Sequence, residues 1–127
     1  MAKINKVFVY GTLKEGGHFA QGFDKVRVST MKATMVGKLM DVNGFYPGLV
    51  EGDGVVHGEV HEYKHMDDVI SAMDSIEGYV RHNPDRSLYK RKVVKAETED
   101  GEVEVFAYFF NQPTEGLKEV KNGVWEI

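Results

Sequence analysis

A chain of 127 residues, 42% of them hydrophobic, has the size and apolar content of one domain with a single substantial core, so residues 1–127 are expected to fold as one unit. It contains no cysteine, which excludes disulfides, a thiol nucleophile and thiolate metal sites, and no run of about 18 apolar residues of the kind a membrane span needs. The net charge of −4 lacks the basic excess that marks nucleic-acid binding.

Lys6 to Tyr10 reads as a short apolar strand that stops at Gly11-Thr12-Leu13. Nothing before it resembles the long apolar region and small-residue cleavage site of a signal peptide, so a cytoplasmic location is expected. A polar, Gly-rich stretch from Lys14 to Gly22 follows, long enough for one irregular loop or helical turn. Val26 to Met40 is rich in β-branched residues and predicts one long strand or two short ones, with Gly37 as a bulge candidate. Asn43-Gly44 is a type I′ hairpin signal. Phe45 to Leu49 then leads to an expected second turn at Gly52-Asp53-Gly54. From Val55 to Tyr63 the pattern alternates, with Val56, Gly58 and Val60 on one face and His57, Glu59 and His61 on an outer polar face. A helix is expected from Met66 to Glu77, a loop from Gly78 to Ser87, and a strand from Leu88 to Thr98. Asp100-Gly101 turns that strand into a partner, Val103 to Asn111, and Pro113 to Val120 has room for a short last helix. Strands with closely spaced turns and one clear helix predict an α+β, barrel-like sheet.

Within the helix, Met66, Val69, Ile70, Met73 and Ile76 make one stripe at the 3.6-residue period, while Asp67, Asp68, Ser71 and Ser75 lie opposite. Glu77 falls near the middle of the apolar stripe, one turn beyond Met73. It also sits at the helix C-terminus, where the macrodipole disfavours negative charge, and Gly78 follows as an αL cap. Burial and dipole both oppose ionisation, so a raised pKa is expected, as a general acid/base requires. The alternatives are a last-turn Glu that bends into solvent or one that pairs with an Arg.

Several catalytic templates are absent: Gly-x-Gly-x-x-Gly, the Walker lysine loop and the Gly-x-Ser-x-Gly elbow. His57 and His61 on one strand are about 13 Å apart, too far to share a metal ion, and no metal site is expected. Lys90, Arg91, Lys92 and Lys95 read as a solvated face rather than a phosphate site. Tyr10-Gly11-Thr12-Leu13 remains: a strand ending in Gly can turn sharply and leave consecutive N–H groups as a small oxyanion nest, or be an ordinary turn.

In its order and spacing of motifs the chain resembles the gamma-glutamyl cyclotransferase-like superfamily, in the branch of gamma-glutamylamine cyclotransferases and avirulence-induced-gene-like proteins. Tyr10-Gly11-Thr12-Leu13 resembles its Tyr-Gly-[Ser/Thr]-Leu loop, Tyr46-Pro47-Gly48-Leu49 its Tyr-Pro-x-[Leu/Ile] segment, and Val56 to Val60 its Val-x-Gly-Glu-[Leu/Val] strand. Met73 to Tyr79 is similar to its Leu-Asp-x-x-Glu-Gly-Tyr helix end, Tyr89-Lys90-Arg91 to Tyr-x-Arg, Ala107-Tyr108 to the strand Ala-x-x-Tyr, and Gly123-Val124-Trp125 to a terminal Gly-x-Trp. Thr12-Leu13 departs from the Ser-Asn-Leu form of the branch acting on gamma-glutamyl amino acids, which argues against that substrate group.

The resemblance implies a compact, mostly antiparallel barrel of six or seven strands with flanking helices. It implies an acyltransferase that cyclises a small-molecule or isopeptide gamma-glutamyl amide to 5-oxoproline without a cofactor; from charge and composition neither nucleic acid nor membrane is expected as partner. Glu77 would be the acid/base. The amides of Gly11, Thr12 and Leu13 would bind substrate, Tyr10, Tyr46 and Tyr108 would line the cavity, and Tyr89 and Arg91 would bind or seal it, unless Arg91 only makes a structural ion pair. Two rivals stay open: a non-catalytic binding or interaction module on the same fold, and a hydrolase using the same Glu to activate water.

Overall fold

The computed structural model describes residues 4–11, 14 and 20–125. They form six strands, β1 (Lys6–Val9), β2 (Arg27–Val42), β3 (Tyr46–Tyr63), β4 (Tyr89–Thr98), β5 (Gly101–Phe110) and β6 (Lys118–Glu119). One α-helix, α1 (Met66–Ile76), joins β3 to β4, and short 3-10 turns occur at Ala20–Phe23 and Pro84–Arg86. The strand order is β3-β1-β5-β4-β2-β6, and β3 also pairs with β2, so β1 to β5 close into a ring and β6 hangs on β2. Every pairing is antiparallel except β1 with β5. This is the α+β architecture that the strand pattern predicts, with the mostly antiparallel pairing that the resemblance implies.

Alternation along the strands divides the core in two. Phe8, Tyr10, Ala33, Met35, Leu39, Leu49, Val56, Val60, Ala96, Val105, Ala107 and Phe109 form one cluster drawn from all five ring strands, which fills the interior. The opposite faces contribute Val7, Val9, Tyr63, Tyr89 and Tyr108 to a second cluster, with Met66, Val69, Ile70 and Met73 of α1. The helix therefore packs on the outside of the ring through the stripe its sequence shows.

The β2–β3 hairpin follows its turn chemistry. Asn43 and Gly44 both have positive φ (55° and 80°), and the Phe45 N–H donates to the Val42 carbonyl at 3.0 Å. Farther along, Val36 pairs with Val55 and Lys38 with Val50, so residues 51–54 bulge opposite Gly37. The turn expected at Gly52-Asp53-Gly54 does not occur. Val50 and Val55 both stay paired to β2, so the chain cannot reverse, and the glycines absorb the insertion within one strand.

Three further expectations are corrected. Residues 113–120 form turns and β6, not a helix: Gly116 has φ 81°, and the Val120 N–H donates to the Leu39 carbonyl at 2.7 Å. His61 is fully buried, not on a solvated face, because the outer surface of β3 lies under the second cluster. Its Nε2 lies 2.8 Å from Glu59 Oε1 and its Nδ1 2.8 Å from the Tyr63 hydroxyl. Ile76, on the edge of the helical stripe, is 37% exposed. No helix among the described residues is long and apolar enough to cross a membrane.

Candidate active site

One rim of the ring gathers most of the residues expected to form the site. The C-terminal ends of β1 and β5, the starts of β3 and β4, and the last turn of α1 meet there. Tyr10, one residue beyond β1, is buried and donates its hydroxyl hydrogen to the Tyr108 carbonyl at 2.6 Å. The Tyr10 hydroxyl oxygen in turn accepts from the Leu49 N–H at 3.4 Å. Tyr89, the first residue of β4, donates to the Pro47 carbonyl at 2.6 Å. The Tyr46 ring lies 6.2 Å from that of Tyr89 and 6.5 Å from that of Phe110. Gly11 packs on Pro47 so closely that a Cβ there would sit 2.8 Å from Pro47 Cγ, which explains the glycine after Tyr10. The Lys14 N–H donates to the Gly11 carbonyl at 3.0 Å, and Lys14 Nζ donates to the Trp125 carbonyl at 2.7 Å. Thr12 and Leu13, the remainder of the expected amide nest, lie outside the described residues.

Glu77 is the C-cap of α1. The termination is a Schellman motif: the Tyr79 N–H donates to the Asp74 carbonyl at 2.8 Å, the Gly78 N–H to the Ser75 carbonyl at 3.3 Å, and Gly78 takes φ 66°. As a whole residue Glu77 is half-buried, but protein crowds its carboxyl end. Loss of solvation raises the carboxyl pKa from 4.5 to about 7. The Glu77 charge acts on the hydroxyls of Tyr10, Tyr89 and Tyr108, placing all three within its electrostatic reach. Burial, the largest cause, raises the pKa of each, so all three remain protonated donors at neutral pH.

Sequence reasoning missed Asp74, which is 5% exposed. Its carboxylate accepts the Tyr108 hydroxyl at 2.6 Å, Arg91 Nη1 at 2.8 and 3.0 Å, and Arg81 Nε at 2.9 Å. Arg91 and Tyr108 are cross-strand partners, so Asp74 fastens the last turn of α1 to the β4–β5 pair. The Arg91 guanidinium also lies over the rings of Tyr79, 5.4 Å from its centroid, and Phe106, at 4.9 Å. Two signals pointed to Asp74. It follows Met66 and Ile70 at the same i+4 spacing, and the suspected ion pair of Arg91 needed an acidic partner. The neighbouring lysines make surface pairs instead, Lys90 with Asp85, Lys92 with Glu51 and Lys95 with Glu102. Among the described residues no group of three or more His, Asp or Glu is placed to hold a metal ion.

The family described as "Gamma-glutamyl cyclotransferase, AIG2-like" matches residues 7–127, which include every rim residue described above. The chain belongs to this family. A curated relative, the gamma-L-glutamyl-butirosin B gamma-glutamyl cyclotransferase of Niallia circulans, is 28% identical over 106 residues, covering 84% of this chain and 67% of the relative. An AIG2-like protein from Mus musculus superposes with a TM-score of 0.76 at 18% identity, over 98% of this chain and 90% of that one. YkqA from Bacillus subtilis superposes with a TM-score of 0.71 at 23% identity, over 97% of this chain. The present family member spans only 40% of the length of YkqA. At these identities the two structures establish the gamma-glutamyl cyclotransferase fold.

Proposed function

We propose that this protein is a gamma-glutamylamine-type cyclotransferase. The α-amine of the gamma-glutamyl group attacks its own γ-carbonyl carbon and closes the five-membered lactam. The bond from that carbon to the leaving nitrogen breaks, and the products are 5-oxoproline and a free amine. Glu77, ionised, takes a proton from the substrate ammonium and returns it to the departing nitrogen, and the second proton that the attacking nitrogen sheds on becoming the lactam N–H passes through solvent to the released amine. Such transfer contributes typically ~10²–10⁴-fold. Holding the substrate folded supplies proximity, so no activated external nucleophile is needed. The observation that carries this reading is the desolvated carboxyl of Glu77, raised to about 7 at a rim that also holds Tyr10 and Gly11. A group with that pKa exchanges protons readily near neutrality in both directions.

Backbone amides of Gly11, Thr12 and Leu13 would bind the substrate carboxylate or the oxyanion. Tyr10, Tyr89 and Tyr108 line the site and hold its walls, since each hydroxyl is engaged by a protein acceptor. Tyr46 flanks the mouth. Arg91 supports the wall through Asp74. The Niallia circulans relative, whose name gives it a gamma-glutamylated compound, supports a gamma-glutamyl amide as the substrate class.

The test is a panel of gamma-glutamylamines, gamma-glutamyl amino acids and gamma-glutamyl isopeptides, with 5-oxoproline and free glutamate measured together. Release of 5-oxoproline supports cyclisation. Free glutamate alone assigns a hydrolase, and no product from any compound assigns a binding module.

A further inference from the structure

Five groups that ordinarily stabilise a carboxylate surround the end of α1, and all five are turned toward other acceptors. The hydroxyl of Tyr10, beyond β1, donates to the Tyr108 carbonyl. That of Tyr89, on β4, donates to the Pro47 carbonyl, and that of Tyr108, on β5, to Asp74 Oδ1. Arg91 on β4 and Arg81 in the loop after α1 both donate to Asp74. Among the described residues no hydrogen bond or ion pair reaches the Glu77 side chain, and its burial disfavours the charged form. Yet the Tyr108 hydroxyl, bonded to Asp74 at 2.6 Å, also lies within the electrostatic reach of Arg91 and Glu77. Asp74 precedes Glu77 by three residues, on neighbouring positions of the same helical turn.

We propose that Asp74 is a positioning residue that draws both guanidiniums and the Tyr108 hydroxyl onto itself, leaving the Glu77 carboxyl without a cationic partner among the described residues. The inference rests on Glu77 being the acid/base of the proposed reaction. A guanidinium free to pair with Glu77 would hold it ionised, as an opposite charge at close range lowers a carboxyl pKa by about 1–3 units. An acid/base held permanently ionised protonates the leaving amine poorly. Asp74 is suited to the task because its bidentate contact with Arg91 Nη1 and its third bond to Arg81 use both carboxylate oxygens.

The test follows the Glu77 carboxyl itself by carbon-13 NMR in protein labelled at the glutamate side chains, the signal being assigned by its loss in Glu77→Gln. In the parent it titrates near 7. In Asp74→Asn the freed Arg91 turns to Glu77, and the midpoint falls by at least about one pH unit. In Asp74→Asn with Arg91→Gln the midpoint returns toward the parent value. Loss of the Asp74 charge by itself also lowers the midpoint, but it does so equally whether or not Arg91 is present, so equal midpoints in folded Asp74→Asn and in the Arg91→Gln double variant, or an unchanged or higher midpoint in Asp74→Asn, overturn the proposal. Should Asp74→Asn not fold, Asp74→Asn with Arg91→Lys takes its place, because a lysine retains the charge on a flexible stem. Equal midpoints in the Lys and Gln double variants then overturn it. Where the panel finds a substrate, the acid limb of kcat/KM moves with the midpoint. The titration needs no turnover, so it stands apart from the proposed reaction: full activity of Glu77→Gln would defeat that reaction while the titration still decides what Asp74 does.

Discussion

In the proposed reaction Glu77 concentrates the chemistry at the residue scale, and its raised pKa makes two consequences measurable. The first concerns rate. If the ionised carboxylate accepts the substrate proton, kcat/KM falls on the acid side with a midpoint near 7 rather than near the usual carboxylate value. A pH profile on any active gamma-glutamyl compound reads this directly, and a limb near 4.5 would remove Glu77 as the titrating base. The second concerns stability. A carboxyl raised from 4.5 to about 7 on folding binds more protons in the native state between those values. Its contribution is therefore fully present below about 4.5 and is lost as pH rises through about 7. Glu77→Gln removes the ionisable group, so its melting temperature should exceed the parent's by a few degrees at pH 8, and the gap should close at pH 5. Thermal unfolding at the two pH values checks the sign. The helical stripe made Glu77 legible because an apolar face with one carboxylate is a local pattern. The bond set of Asp74 was not legible, because Arg91 and Tyr108 reach it from strands 17 and 34 residues later in the chain.

Gly78, one residue beyond the C-cap Glu77, sets the end of helix α1. With φ 66° and a Cβ position 3.2 Å from Leu88 Cβ, it is both conformationally and sterically committed. Gly78→Ala should cost about 1 kcal/mol or more and lower the melting temperature by several degrees. Because the Schellman bonds hold the last turn, kcat/KM should fall more than the loss of folded protein explains. A variant with parent stability would show that another residue carries the termination. Elements governed by local chemistry were readable in this way: the Asn43-Gly44 hairpin, the Asp100-Gly101 turn, the helix and its cap. Elements governed by partners were not. The stretch at Gly52-Asp53-Gly54 carries every turn residue, yet pairing with β2 on both sides holds it as a bulge. β6 is a two-residue strand that exists through its pairing with β2, a contact no local pattern encodes.

Across the whole molecule, the ring is closed by β2 pairing on both sides and finished by the segment after β6. The Gly123 carbonyl accepts the His57 N–H at 2.8 Å, and Trp125 packs against the interior cluster built by all five ring strands. Trp125→Ala should therefore destabilise the fold by about 2 kcal/mol, a partial version of the loss for a fully buried ring, and urea unfolding measures it. A variant within a few tenths of the parent would show that the segment does not seal the ring. The central claim is cyclisation driven by Glu77. Its most direct test is the rate of 5-oxoproline release from a gamma-glutamylamine by the parent and by Glu77→Gln, purified together and checked for folding by circular dichroism. The account predicts 5-oxoproline with a stoichiometric free amine from the parent, and a loss on the order of 10²-fold or more in a folded Glu77→Gln. Equal rates from the two proteins would contradict it.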